Sequence, residues 1–116
     1  MSVERISREE LKAKLCRGED VVRVEALGEA SYEKAHLPGA RNIPYDRVDK
    51  LAPRLLPDKG VQIAVYCSNG PCRHSGIASD ILARLGYEDV RDYHEGKQDW
   101  IEAGLPTESD GARVAG

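Results

Sequence analysis

The sequence predicts an α/β domain with a mainly parallel central sheet and helices on both faces. Three observations carry this reading. Runs of β-branched and other apolar residues at 21–26, 61–66 and 90–93 read as strands. They alternate with amphipathic segments of helical period, and such alternation closes into parallel βαβ units. The connections are short and carry turn residues, as in Pro38-Gly39 and Pro57-Asp58-Lys59-Gly60. In an open parallel sheet, ligands meet the carboxyl ends of the strands.

With 116 residues, the chain is expected to form one domain with a single modest core. The core is placed at about residues 6–106, with a loose polar tail over 107–116. The composition, 41% hydrophobic and 32% charged, is that of a folded domain rather than a disordered one. A net charge of −3 with no basic block argues against a nucleic-acid partner. No apolar run is long enough to span a bilayer and the first residues lack an apolar leader, so the expectation is a cytoplasmic chain with no membrane partner. Three cysteines without C-x-x-C pairs, and three histidines far apart in sequence, offer no metal-ligand spacing. No metal or other cofactor is expected. In a reducing compartment a cysteine that matters is more often reactive than bridging.

In chain order, Ser7-Arg8-Glu9-Glu10 is a capping box that starts a helix with Leu11 and Leu15 on its apolar stripe. Gly18 stops it, and Cys16 reads as a small half-buried residue beside the stripe. Residues 21–26 form the first strand, and 29–35 a short helix with Tyr32 on its buried side. Residues 40–43 are short and extended after the Pro-Gly turn. Residues 45–56 read as helical, with Val48, Leu51 and Leu55 on one face and Pro53 as a break or kink. Residues 61–66 form the central strand. The following helix, 76–85, carries Ile77, Ile81, Leu82 and Leu85 and ends at Gly86. A strand at 90–93 and a last helix at 99–103, with Trp100 and Ile101, complete the domain.

Between the central strand and its helix lies Cys67-Ser68-Asn69-Gly70-Pro71-Cys72-Arg73-His74-Ser75. A strand that delivers a cysteine to a polar loop ending on a helix N-terminus sets a thiol among free backbone N–H groups and a positive dipole end. Such settings bring a cysteine to about 3.5–7.5. The N–H groups of Ser68, Asn69, Gly70 and Cys72 would form an anion nest, Pro71 having none to give. Arg73 can clamp an oxyanion or stand in solvent, and His74 can serve as a second, weaker donor. Ser75 can cap the helix and touch the sulfur, while Asn69 and Gly70 let the backbone turn. Cys67 is thus the candidate nucleophile. Cys72 is either a resolving cysteine or a small packing residue, and the tightness of the loop favours packing. His36 is expected to bond backbone near its Pro-Gly turn, and Tyr87 and Trp100 to fill core.

Several motifs together resemble the rhodanese-like domain family. Tyr32…His36-Leu37-Pro38-Gly39-Ala40-Arg41-Asn42-Ile43-Pro44 is similar to its E-Y-x-x-G-H-I-P-G-A-x-N-I-P, and Val65-Tyr66-Cys67 to its V-Y-C. Leu85-Gly86-Tyr87…Val90…Gly96…Trp100…Ala103-Gly104-Leu105-Pro106 is similar to its closing L-G-Y-x-x-V…G-G-x-x-x-W-x-x-A-G-L-P. The resemblance implies a three-layer fold and a sulfurtransferase that carries sulfane sulfur as a Cys67 persulfide. Its donor would be a small sulfur-containing anion such as thiosulfate, or a persulfide, and its acceptor a protein or small thiol. The chain departs from the family in three places. Glu25-Ala26-Leu27 replaces the usual D-V-R, Glu95 replaces the first late glycine, and the loop is longer than C-x4-R and contains Cys72. The C-x5-R count from Cys67 to Arg73 also resembles the phosphatase and arsenate-reductase branch, although the loop has no carboxylate to act as general acid. A non-enzymatic persulfide-binding, redox-sensing or docking module on the same fold is the third reading.

Overall fold

Five parallel strands form the sheet, in the spatial order β1-β5-β4-β2-β3. The computed structural model describes residues 3–70 and 72–109. The strands are β1 (Glu4–Arg5), β2 (Val21–Glu25), β3 (Arg41–Asn42), β4 (Gln62–Tyr66) and β5 (Asp89–Tyr93). The helices are α1 (Arg8–Cys16), α2 (Glu29–Lys34), α3 (Val48–Leu55), α4 (His74–Arg84) and α5 (Gly96–Glu102), with a 3-10 turn at Tyr45–Arg47. The mixed α/β architecture expected from the alternation is the one found.

β4 is central because both faces of its residues are buried. Ile63 and Val65 point into a core with Val48 and Ala52 of α3 and Ala78 and Leu82 of α4. Ala64 and Tyr66 point the other way, into a second core with Leu11 of α1 and Trp100 of α5. The period-two alternation of a strand therefore divides one apolar run between two layers. Trp100 and Tyr87 are core residues, as expected, and each places its polar atom on backbone: Trp100 Nε1 donates to Pro106 O at 2.8 Å and Tyr87 O–H reaches Ala52 O at 3.0 Å.

Several local expectations need correction. β1 was not anticipated; two charged residues carry no strand signal, and only pairing of Glu4 with Arg91 and Arg5 with Asp92 defines it. α3 runs through Pro53 to Leu55, because the carbonyl that loses its partner belongs to exposed Asp49 and can meet water. Leu55 is 39% exposed and Ile77 42% exposed, so neither lies on its helix's buried stripe. Ser75, Ala78, Ser79 and Leu82 face inward instead, since small side chains let α4 lie close to the sheet. α4 begins at His74 and α5 at Gly96, both earlier than the apolar spacing suggested. Cys16 is exposed rather than half-buried. Of the presumed loose tail, residues 107–109 are tied down: His36 and Glu108 exchange backbone hydrogen bonds at 2.9 and 2.8 Å, and Ser109 Oγ donates to Glu33 O at 3.0 Å. Residues 110–116 lie outside the described residues. His36 does bond backbone, with Nδ1 2.7 Å from Tyr32 O, and its ring stacks on Tyr32.

One buried polar network links the strand ends to α5. Glu25, at the end of β2, is fully buried. Its Oε1 accepts from Tyr66 O–H at 2.8 Å and its Oε2 from Lys97 Nζ at 3.1 Å. The Lys97 ammonium also donates to Ser31 O at 3.0 Å and Ala35 O at 2.7 Å. Burial pushes the Glu25 carboxyl up, and Lys97 and Tyr66 oppose that shift. Removing one partner leaves a buried charge unpaired. Lys97→Met is therefore expected to destabilise the fold by about 3 kcal/mol in urea denaturation, and Glu25→Met in the same chain to recover much of the loss.

Candidate active site

β4 ends at Tyr66 and places Cys67 at its carboxyl end, where the side chain is fully buried. The backbone there is held by α5. Lys97 N–H donates to Cys67 O at 2.8 Å, and Gln98 N–H to Ser68 O at 2.8 Å. These are free donors of a helix's first turn, spent on the first two carbonyls of the loop. The approach requires Gly96. Its φ is +79°, and a Cβ would stand 2.7 Å from Cys67 O and 2.9 Å from Asn69 N.

Cys67 Sγ lies 3.7 Å from Ser75 Oγ and 3.9 Å from Asn69 O. The Ser75 N–H, in the first turn of α4, also reaches the sulfur. Ser75 thus touches the sulfur as expected, but it does not cap the helix; Arg73 is the N-cap residue. Cys72 folds back over the loop, its N–H donating to Asn69 O at 3.1 Å. Cys72 is half-buried, and Cys67, His74 and Ser68 lie close enough to bear on the ionisation of its thiol.

This arrangement splits the two thiols. Burial pushes Cys67 up, and its hydrogen bond to Cys72 adds to that, against the Ser75 N–H and O–H; the result is about 11. Burial also pushes Cys72 up, but the donors from Cys67, His74 and Ser68 outweigh it and leave Cys72 below the ordinary thiol range. The expectation of a depressed Cys67 is corrected: the helix end and loop N–H groups serve Cys72 as much as Cys67, and the negative charge of the pair resides first on Cys72.

The remaining loop residues divide. Arg73 is exposed, and among the described residues nothing pairs with its guanidinium. The His74 ring stacks on Tyr45 at 4.0 Å and 12°, with a buried Nδ1 that has no hydrogen-bond partner. Asn69 and Gly70 open on a cleft of about 270 Å³ whose other walls are Glu95, Gln98, Asp99 and Glu102. A larger, mostly apolar cleft of about 590 Å³ lies elsewhere, between Leu15, Val21, Trp100 and Leu105. Among the described residues no three His, Cys, Asp or Glu side chains gather where they could hold a metal ion, and no helix is long and apolar enough to cross a membrane. Gly96, Lys97 and Glu25 were not singled out as site residues from the sequence. The late glycine ahead of Trp100 was the one available signal, and it reports a backbone approach rather than chemistry.

A family model described as the Rhodanese-like domain matches residues 7–103. Thiosulfate sulfurtransferase PspE of Escherichia coli is 41% identical over 59 residues, covering 51% of this chain and 55% of that protein. An HTH-type transcriptional regulator of Mycobacterium tuberculosis is 36% identical over 110 residues, covering 94% of this chain and 46% of that protein. The chain spans about half the length of the curated relatives it matches. A solved structure of rhodanese with anions from E. coli superposes with a TM-score of 0.65 at 30% identity, covering 78% of this chain and 99% of that one.

Two expectations follow from the geometry. In pH-dependent alkylation with iodoacetamide, Cys72 is expected to react at lower pH than Cys67. Cys72→Ala should lower the Cys67 midpoint from its value near 11, because one cause of the upward shift is gone. Equal midpoints for the two thiols would contradict the assignment. Gly96→Ala is expected to cost at least about 1–2 kcal/mol from the left-handed backbone alone, and hydrogen exchange should show the Lys97 and Gln98 amides losing protection.

Proposed function

This chain belongs to the rhodanese-like domain family, and on that footing we propose that it is a sulfurtransferase working through a persulfide on Cys67. One observation supports the assignment above others. Cys67 stands at the carboxyl end of the central strand, with its sulfur 3.7 Å from Ser75 Oγ and with the Ser75 N–H and O–H favouring its ionised form. Those donors stabilise negative charge on Sγ as it forms and as the persulfide replaces it. Cys72, whose thiol is lowered beside Cys67, is the group to take the Cys67 proton when Sγ attacks.

In the reaction, Cys67 Sγ attacks the outer sulfur of thiosulfate or of a persulfide donor. The sulfur–sulfur bond of the donor breaks, its electron pair leaves with sulfite or the donor thiolate, and Cys67 retains the sulfane sulfur. A thiol or other thiophilic acceptor then removes it. PspE, named a thiosulfate sulfurtransferase, is the relative that motivates thiosulfate as the donor to try first. The acidic wall of Glu95, Asp99 and Glu102 beside Asn69 and Gly70 makes a neutral or cationic acceptor the better fit.

The phosphatase or arsenate-reductase reading has less support. Its clamp would be Arg73, whose guanidinium stands in solvent, and the loop holds no carboxylate to act as general acid. A non-enzymatic sulfur- or redox-sensing module keeps a specific observation in its favour: nearly the whole chain aligns with part of a transcriptional regulator about twice its length.

Rapidly quenched incubation with thiosulfate, analysed by intact and peptide mass, should show one sulfur added to Cys67 at early times, and added cyanide should yield thiocyanate. Cys67→Ser is expected to lower thiocyanate formation by roughly a thousandfold or more. An unmodified Cys67 with no thiocyanate would remove the enzymatic reading and leave the sensing module.

A further inference from the structure

We propose that Cys72 resolves the Cys67 persulfide, so that the protein reduces sulfane sulfur to sulfide while forming a Cys67–Cys72 disulfide. The inference rests on the sulfurtransferase reading above and adds a second half-reaction to it.

Three features of the loop carry it. First, Asn69 O gathers the two cysteines: it accepts from the Cys72 N–H at 3.1 Å and lies 3.9 Å from Cys67 Sγ, and each thiol bears on the ionisation of the other. A sulfane sulfur on Cys67 is therefore formed next to a second thiol on the same short loop, at the high effective concentration of an intramolecular partner. Second, Cys67 is fully buried and Cys72 is half-buried, so Cys72 is the solvent-side thiol of the two. Third, the environment of Cys72 is that of an anion rather than of a packing residue. Ser68, His74 and Cys67 hold its thiol below the ordinary value against the opposing effect of burial, which favours the thiolate that does the attacking.

The step balances without an added oxidant. The donor reaction leaves Cys67 with one sulfane sulfur and releases sulfite. Cys72 gives up its proton and its sulfur attacks Sγ of Cys67. A bond forms between the two cysteine sulfurs, and the bond between Sγ and the sulfane sulfur breaks. The electron pair leaves with the sulfane sulfur as hydrosulfide, a better leaving group than an alkyl thiolate. The two cysteines are oxidised to a disulfide and the sulfane sulfur is reduced to sulfide. The sum is thiosulfate plus two thiols giving sulfite, hydrogen sulfide and a disulfide. Further turnovers need a dithiol reductant to reopen the disulfide.

The test is a single-turnover reaction of the fully reduced chain, without oxygen or added thiol, with thiosulfate and in parallel with cysteine persulfide as donor. Sulfide, sulfite, free thiols and intact mass are measured at the end point. The chain is expected to release about one equivalent of sulfide per molecule and to finish lighter by two hydrogens, with Cys67 and Cys72 joined in the peptide map. Cys72→Ser should load more slowly but finish with the extra sulfur held on Cys67, losing sulfide release. Wild-type chain that keeps a Cys67 persulfide and releases no sulfide overturns the proposal while leaving the sulfurtransferase reading intact. So does sulfide release that is undiminished in Cys72→Ser, or sulfane sulfur found on Cys72. If neither donor places sulfur on Cys67 in either chain, the sulfurtransferase reading fails and the resolving step with it.

Discussion

The docking of α5 onto the first two carbonyls of the loop is the constraint on which the site depends. Lys97 and Gln98 donate their backbone N–H groups to Cys67 and Ser68, and Gly96 makes room for that approach. A loop that leaves a central strand must satisfy its carbonyls as it departs from the ladder. Here a helix from the other end of the chain supplies the donors. With those two carbonyls fixed, the loop turns at Asn69, and Ser75 N–H and O–H meet Cys67 from the opposite side.

The same lysine ties the clamp to the sheet. Its ammonium bonds buried Glu25, and Glu25 holds Tyr66, the residue before Cys67. The network joins β2, β4 and α5 at the carboxyl edge. Buried ion pairs of this kind contribute little net stability against apolar substitutes, yet losing one partner is costly. Their effect is positional: the Lys97 side chain fixes where its own backbone N–H points. Glu25 stands where the family has the aspartate of D-V-R, and Leu27 where it has the arginine, so the sequence departs from the pattern at the network's own strand.

Charge in the site is governed by competition between burial and hydrogen bonding. Cys67 gains the position at the strand end but loses solvation, and its thiol is held protonated. Cys72 gains the loop donors. Two thiols in contact do not both ionise readily, because the second charge meets the first in a poorly solvated space. The two thiols are shifted in opposite directions, Cys67 up and Cys72 down, which favours charge on Cys72 and the proton on Cys67. In the proposed reaction, passing that proton to Cys72 would make the Cys67 sulfur the nucleophile.

Much of the fold was legible in the residues because the relevant signals are local. Ser7 accepts from Glu10 N–H at 3.1 Å as the capping box requires, and the apolar runs at 21–26, 61–66 and 90–93 became β2, β4 and β5. The strand–cysteine–loop–helix order placed Cys67 at a sheet edge without any structure. Long-range facts were not legible. β1 exists only through its pairing with β5, and Leu55 and Ile77 are exposed because neighbouring helices cover other faces of α3 and α4. The direction of Cys72 was the most consequential of these. Sequence alone determined that two cysteines share a loop at the end of the central strand. Only the tertiary structure decided how they differ, Cys67 enclosed and Cys72 half-buried, because that follows from where α5 holds the Cys67 and Ser68 carbonyls and where the Cys72 N–H closes on Asn69 O.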